Sequence, residues 1–519
     1  MRRVSAAPLP WLLLLVVAPV ASAAPSNPVE RAHQALLELQ VEDAKRLVAS
    51  APEGPDRSYV QALVHFHEAD YPAALRALER SIADAPLSDD DDRRSLRDLL
   101  SATHEATENF TEARSSDGRF VVRYAPGPDA VLAPYALVAM GAADEALTAE
   151  LGLEVPGPIV LEIYPTPSSL AQVSTLSVEA IQRTGTIALC KWDRLMITSP
   201  RALVRGYPWM DTIAHEYVHL VLSRASRDQA PVWFQEGTAK FLERTWRGES
   251  PRAHLEPAAA GLLRKAAKQG SLIPFKRLHP SIALLPSQQD AALAFAQVAT
   301  FIESFHEAED AEGLQQAIGL MAEGTDARRA LAEVGGVSFG SLENRWKKTI
   351  AQEVDAPEDP PPVKGLRFRK GEAMDESLEV EEERARRFVR LGDLLWDGGR
   401  PEAAEVEYAK AHTAAPDDPV VASRLARAAL AAGHPDQALD AIASVVERYP
   451  DHAPAHVVMG SALLAQGNKT AAAHASREAL RLNPFDPQPH CDLAMATDHA
   501  AERRRERSFC EQLGEPEVP

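Results

Sequence analysis

The chain has 519 residues, 45% of them apolar, enough for several packed domains and too many for a disordered polymer. Its formal net charge of −20 argues against a nucleic-acid binder, which would usually show a basic face, and gives no sign of an anionic-membrane surface. Three cysteines, Cys190, Cys491 and Cys510, are too few for a disulfide framework and contain no Cys-x-x-Cys pair.

Arg2 and Arg3 precede an apolar run from Trp11 to Val17, and Ala21-Ser22-Ala23 offers a small-residue cleavage site. Residues 1–23 therefore read as a signal peptide, and the mature chain is expected to be periplasmic or secreted. No later run approaches ~20 uninterrupted apolar residues, so no membrane span is expected in the mature chain. Cys491 and Cys510 are near enough in sequence to pair, which leaves Cys190 as a small buried apolar side chain.

Residues 24–114 read as helical. Tyr59 to Pro86 has the pattern helix, turn, helix, stop, and Asp89 to Asp92 read as a solvated loop leading into the next helix. Near Ser115 the texture changes. Gly118–Tyr124, Pro158–Tyr164, Gly185–Cys190 and Arg194–Thr198 are β-branched or alternating and read as strands, with a helix over Ala133–Leu151. A further helix starts near Pro208, and the chain is helical again from Pro257 to Gln352. Mixed strands followed by helices predict an α+β lobe over 115–352.

Within that lobe, Asp211-Thr-Ile-Ala-His215-Glu216-Tyr-Val-His219-Leu places two histidines four residues apart, on one helix face. That spacing lets two imidazoles grip one Zn2+ and brings Glu216 near a water at the metal. The stretch Trp233-Phe-Gln-Glu236-Gly-Thr-Ala-Lys-Phe-Leu-Glu243 offers Glu236 as a third ligand, and three protein ligands leave one position open. The expected chemistry is amide hydrolysis, with Glu216 as general base.

Residues 353–366 form a Pro-rich acidic linker without a packing pattern. Beyond it, over 367–512, one register repeats every 34 residues. It holds Gly399, Gly433 and Gly467, then Ala404, Ala438 and Ala472, then Pro416, Pro450 and Pro484. Thirty-four is the tetratricopeptide period, in which Gly serves the turn, Ala lets helices approach and Pro ends the second helix. Ala74 and Pro86 keep the same separation as Ala404 and Pro416, so residues 24–114 read as degenerate repeats.

The two motifs together resemble those of the gluzincin zinc metallopeptidases, and Trp233-x-x-Glu236-Gly-x-Ala is close to the aminopeptidase branch. A single such lobe over roughly 115–350, flanked by tetratricopeptide units, resembles the peptidase MA-like domain proteins. The resemblance implies that His215, His219 and Glu236 bind Zn2+, that Glu216 is the base, and that Glu243 orients a ligand histidine. It also implies that the strand from Gly185 binds peptide along its edge, through Thr186, Ile187 and Ala188.

Two departures stand out. The Gly-x-Met-Glu-Asn stretch that holds a free amine in the aminopeptidase branch is absent, which favours an endopeptidase. Ala294-Phe295-Ala296-Gln297 has Phe where the resemblance predicts a Tyr that steadies the oxyanion; Tyr217, His254 and His279 are the substitutes the sequence offers. The expected function is an exported zinc endopeptidase that acts on a peptide or protein substrate, with repeats that hold a protein partner. The alternatives are a repeat scaffold with a zinc-holding but weakly active lobe, and a zinc hydrolase acting on something other than peptide.

Overall fold

The structure is a computed structural model that describes residues 27–88, 91–278, 282, 285–353, 357–363, 365–369 and 376–514. The signal-peptide reading of residues 1–23, and Asp89 and Asp90 of the acidic run, fall outside that range. The chain is mostly helical, with one small mixed sheet.

An N-terminal arm contains α1 (Pro28–Leu37), α2 (Val41–Ser50), α3 (Pro55–His67), α4 (Tyr71–Asp84) and α5 (Asp92–Thr107). Asp91 caps α5, accepting from the Arg93 backbone at 3.0 Å. The turns of the α1–α2 and α3–α4 hairpins pass through left-handed residues, Leu39 at φ 54° and Ala69 at φ 56°. Each is followed five residues later by a fully buried alanine, Ala44 and Ala74. The same spacing recurs at Gly399 and Ala404, Gly433 and Ala438, and Gly467 and Ala472, where the glycines have φ of 68°, 84° and 80°. The C-terminal array consists of α15 (Glu383–Asp397), α16 (Pro401–Ala414), α17 (Pro419–Ala431), α18 (Pro435–Arg448), α19 (Ala453–Ala465), α20 (Lys469–Leu482), α21 (Pro487–Ala496) and α22 (Ala500–Leu513). A disulfide joins Cys491 of α21 to Cys510 of α22.

Between the arms lies a five-stranded sheet in the order β1-β2-β3-β5-β4. Its strands are β1 (Thr111–Arg114), β2 (Phe120–Tyr124), β3 (Ile159–Tyr164), β4 (Ala188–Lys191) and β5 (Arg194–Thr198). The central pairs β2–β3 and β3–β5 are parallel; the two edges, β1 and β4, are antiparallel to their neighbours. Alternation sorts the side chains. Val122, Leu161, Leu195 and Ile197 face a core shared with α6 (Ala133–Leu151) and α9 (Trp209–Ala225), while Val121 and Val160 pack under the N-terminal arm. The lobe is completed by α7 (Pro167–Gln172), α8 (Val178–Thr184), α10 (Val232–Leu242), α11 (Pro257–Gln269), α12 (Gln288–Ala322, broken at Asp310), α13 (Ala327–Val334) and α14 (Phe339–Glu353).

The strand expected from Gly185 begins three residues later, at Ala188. Residues 178–184 wind into α8, capped by Ser177 (Ala180 N–H to Oγ, 3.1 Å), and the following turn uses up Gly185. Thr186 and Ile187 precede the strand, although the Ile187 carbonyl already accepts from Thr198 at 2.7 Å. The segment Pro128–Leu151, containing α6, is long and apolar enough to cross a membrane by length and composition. Its Ala136, Ala139, Met140, Ala143 and Leu147 are buried in the lobe's core. Among the described residues of the linker read as unpatterned, Pro360 and Leu366 pack against the lobe. Pro360 lies so close to Gly261 that a Cβ there would fall 2.4 Å from its ring, and just past the linker the Arg367 carbonyl accepts from the Val204 backbone at 3.0 Å.

Candidate metal centre

Helix α9 begins directly after Pro208 and buries Ile213, Val218, Leu220, Val221 and Leu222. This anchored face fixes the roll of the helix, so His215 and His219 emerge together, ring centroids 4.9 Å apart. Helix α10 is held beside it by aromatic packing. Trp233 meets Phe275 and Phe301 edge-on at 5.1 and 6.1 Å, and Phe234 is fully buried. Gly237 lets α12 come close, since a Cβ there would fall 2.8 Å from the Val298 carbonyl. Glu236 thereby faces the two histidines.

The three candidate ligand atoms form a compact triangle. His215 Nε2 and His219 Nε2 are 3.2 Å apart, and Glu236 Oε2 is 3.3 Å from the first and 3.5 Å from the second. Ligands ~2.0–2.1 Å from a tetrahedral Zn2+ stand roughly 3.3 Å from one another. The triangle therefore matches a zinc site without rearrangement, and among the described residues it is the group found with metal-ligand spacing.

The opposite ring nitrogens are also engaged. His215 Nδ1 is 3.1 Å from Glu243 Oε2, whose other oxygen accepts from Lys240 Nζ at 2.6 Å. His219 Nδ1 is 3.3 Å from Gln235 Oε1, and the Gln235 amide donates to the Ala230 carbonyl at 2.8 Å. These contacts turn both Nε2 atoms inward, the orientation a bound metal requires. Glu243 thus lies where an orienting role would need it. Gln235 was not anticipated from sequence; its one signal is its place beside Glu236 on the helix.

The electrostatics suit a cation. Burial pushes the His215 imidazole down, but hydrogen bonds and charge from Glu236 and Glu243 outweigh it and raise it to about 10. Burial likewise pushes Glu236 up, yet His219 and His215 bring it well below the usual carboxylate range. Glu216 is buried beside the triangle. Its carboxyl is raised, chiefly by burial, while the Cys190 backbone N–H facing it from β4 acts in the opposite sense. The edge strand therefore passes directly by Glu216.

The candidates for oxyanion donor separate clearly. Tyr217 is on the far side of α9 and donates to Asp144 Oδ1 at 2.6 Å. His254 Nε2 lies 3.0 Å from Glu249, and its imidazole is lowered to about 4 by burial and by the Arg244 and Arg252 charges. His279 falls outside the described residues. Phe295 is half-buried against the core. Two residues on, the Gln297 side-chain amide accepts from the Ile273 N–H at 2.8 Å and donates to the Ile273 carbonyl at 3.0 Å.

Comparison with known proteins places residues 423–487 in the family described as Tetratricopeptide repeat. The helices within 423–487 are thus tetratricopeptide repeats, in agreement with the 34-residue period. No curated protein matches the chain. Among solved structures, a thermophilic tetratricopeptide protein of Thermus thermophilus is 25% identical over 25% of this chain and 72% of its own, with a TM-score of 0.23. Leukotriene A4 hydrolase of Saccharomyces cerevisiae is 11% identical over 78% of this chain and 67% of its own, with a TM-score of 0.29. Superpositions this loose do not bear on the site.

Proposed function

We propose that the chain is an exported zinc-dependent endopeptidase of gluzincin type. The observation that carries this reading is the triangle of His215, His219 and Glu236, with both imidazoles held from behind and a buried Glu216 alongside. Bound there, Zn2+ would lower the pKa of a water toward ~7 and polarise the scissile carbonyl. Glu216 would take a proton from the attacking water and deliver it to the leaving amine, a role that its burial beside the triangle suits. Edge strand β4 would accept an extended peptide through the outward backbone groups around Ala188, alongside Glu216. The repeats would hold a protein partner or the substrate. The Cys491–Cys510 disulfide supports an oxidising, extracytoplasmic location.

A second reading rests on Phe295, which puts a ring without a hydroxyl where a donor is expected. One missing oxyanion donor typically lowers the rate ~10²–10³-fold. On this reading the lobe holds zinc and turns over slowly, and the repeats carry the function as a scaffold. Cleavage of an unfolded protein by wild type and Glu216→Gln separates the two. The endopeptidase reading expects zinc in both and turnover in wild type alone, with Glu216→Gln reduced at least ~10²-fold. Zinc without turnover in either supports the scaffold.

A further inference from the structure

Three consecutive residues at the end of α20 grip the lobe where α9 begins. The Leu480 carbonyl accepts from Trp209 Nε1 at 3.1 Å, and the Leu482 carbonyl from the Tyr207 backbone at 3.0 Å. Between them Arg481, only 4% exposed, donates through Nη1 to Asp211 Oδ2 at 3.1 Å. Arg481 is itself steadied by Glu478 Oε2 at 2.9 Å and Asp451 Oδ1 at 3.4 Å. The fit is close: a Cβ on Gly206 would fall 2.0 Å from the Leu482 carbonyl.

Asp211 stands one helical turn before His215 on the same face of α9. Its Oδ1 also accepts from Arg247 Nε at 2.8 Å and Trp246 Nε1 at 3.0 Å. Both of those residues lie in the short turn Thr245–Arg247, a few residues past the end of α10, the helix that carries Glu236. One buried carboxylate therefore ties together the two helices that supply the candidate ligands, and its second oxygen is shared between the Arg247 guanidinium and, from the repeat array, that of Arg481.

We infer that Arg481 is a positioning residue for the metal centre: the last repeats of the array are a structural part of the site, and the lobe is incomplete without them. The inference rests on the zinc reading for what α9 is positioned to do, but not for the positioning itself. A planar fork suits the task, since it meets three carboxylates from three directions.

The test uses the full chain with Arg481→Met, Arg481→Lys and Arg481→Gln. Hydrogen exchange of the α9 amides from 213 to 220 is measured in metal-free protein, and zinc affinity by competition with a chelator. Arg481→Met should speed exchange in α9 and after α10, leave the N-terminal arm unchanged, and weaken zinc about 10- to 100-fold, as loss of outer support for a metal site does. Arg481→Lys, which keeps the charge but loses the fork, should restore part of both. If Arg481→Met does not fold, Arg481→Gln is judged by the same readouts. Wild-type exchange in α9 with wild-type zinc affinity overturns the inference, as does an Arg481→Lys protein no better than Arg481→Met. A wild type that binds no zinc refutes the proposed function instead, and the metal-free exchange still decides the positioning role.

Discussion

Two helical arms dock on the same lobe, each at a buried ion pair: the N-terminal arm caps a pair internal to the sheet, and the repeat array supplies one partner of its pair. Under the N-terminal arm, Arg194 and Glu162 are both fully buried and 3.4 Å apart. Tyr71 and Tyr164 donate to Glu162 at 2.5 and 2.7 Å, and Arg194 reaches the Phe66 carbonyl at 3.1 Å beneath the Phe66 ring. This contact lies on the face of the sheet away from α9. At the other arm Arg481 meets Asp211 one turn from His215. The chemistry is alike and the placement is not, so one pair fastens an arm while the other reaches the site.

The largest effect expected from this contrast is on stability. Arg194→Met leaves the buried Glu162 with only the partly exposed Arg123 guanidinium, 3.6 Å away, and should cost about 3 kcal/mol, read by denaturant unfolding. Folded Arg194→Met should keep wild-type zinc affinity. A loss of zinc matching that of Arg481→Met would erase the distinction between the arms.

A smaller effect should appear with pH. Burial pushes Glu506 on α22 up, but hydrogen bonds from His490 and Tyr135, each 2.6 Å, and the Arg505 charge bring it below its ordinary 4.5. A carboxyl depressed in the folded state stabilises fully above its unfolded value, and that contribution is lost as pH falls through the folded value. Hydrogen-exchange protection of α21 and α22 should therefore hold from about pH 7 to 5 and decline below about pH 4.5. In Glu506→Gln the decline should be weaker; an unchanged decline would remove Glu506 from the docking.

The smallest effect concerns the turns. Ala69→Gly relieves a left-handed alanine and should raise stability by roughly 0.5–1 kcal/mol, whereas Gly433→Ala introduces one and should lower it by about as much. Thermal unfolding of the two variants gives the comparison, and a destabilised Ala69→Gly protein would contradict it.

Those turns also explain why one array was legible in sequence and the other only faintly. Gly399, Gly433 and Gly467 announce a positive φ, while Leu39 and Ala69 adopt the same conformation without the residue that advertises it. The ligand triangle was legible because a helix converts a spacing of four into a shared face, and because Glu236 sits in its own short motif. Strand β4 was misplaced at its start because apolar Ile181 and Ile187 flank a helix end that alternation alone does not show. Strand β1 went unread because its polar residues at an exposed edge carry no apolar alternation. The linker's packing was illegible because it runs through prolines and backbone groups, which leave no periodicity. Asp211 and Arg481 were beyond reach: 270 residues separate them, and neither belongs to a local pattern.

The central claim, that His215, His219 and Glu236 together hold one metal, is tested most directly by native mass spectrometry of the full chain with Zn2+, in wild type and Glu236→Ala. The account predicts one zinc per wild-type chain, retained in Glu216→Gln and lost or greatly weakened in Glu236→Ala. A wild type that takes up no zinc, or a Glu236→Ala protein that holds it as tightly, would contradict it.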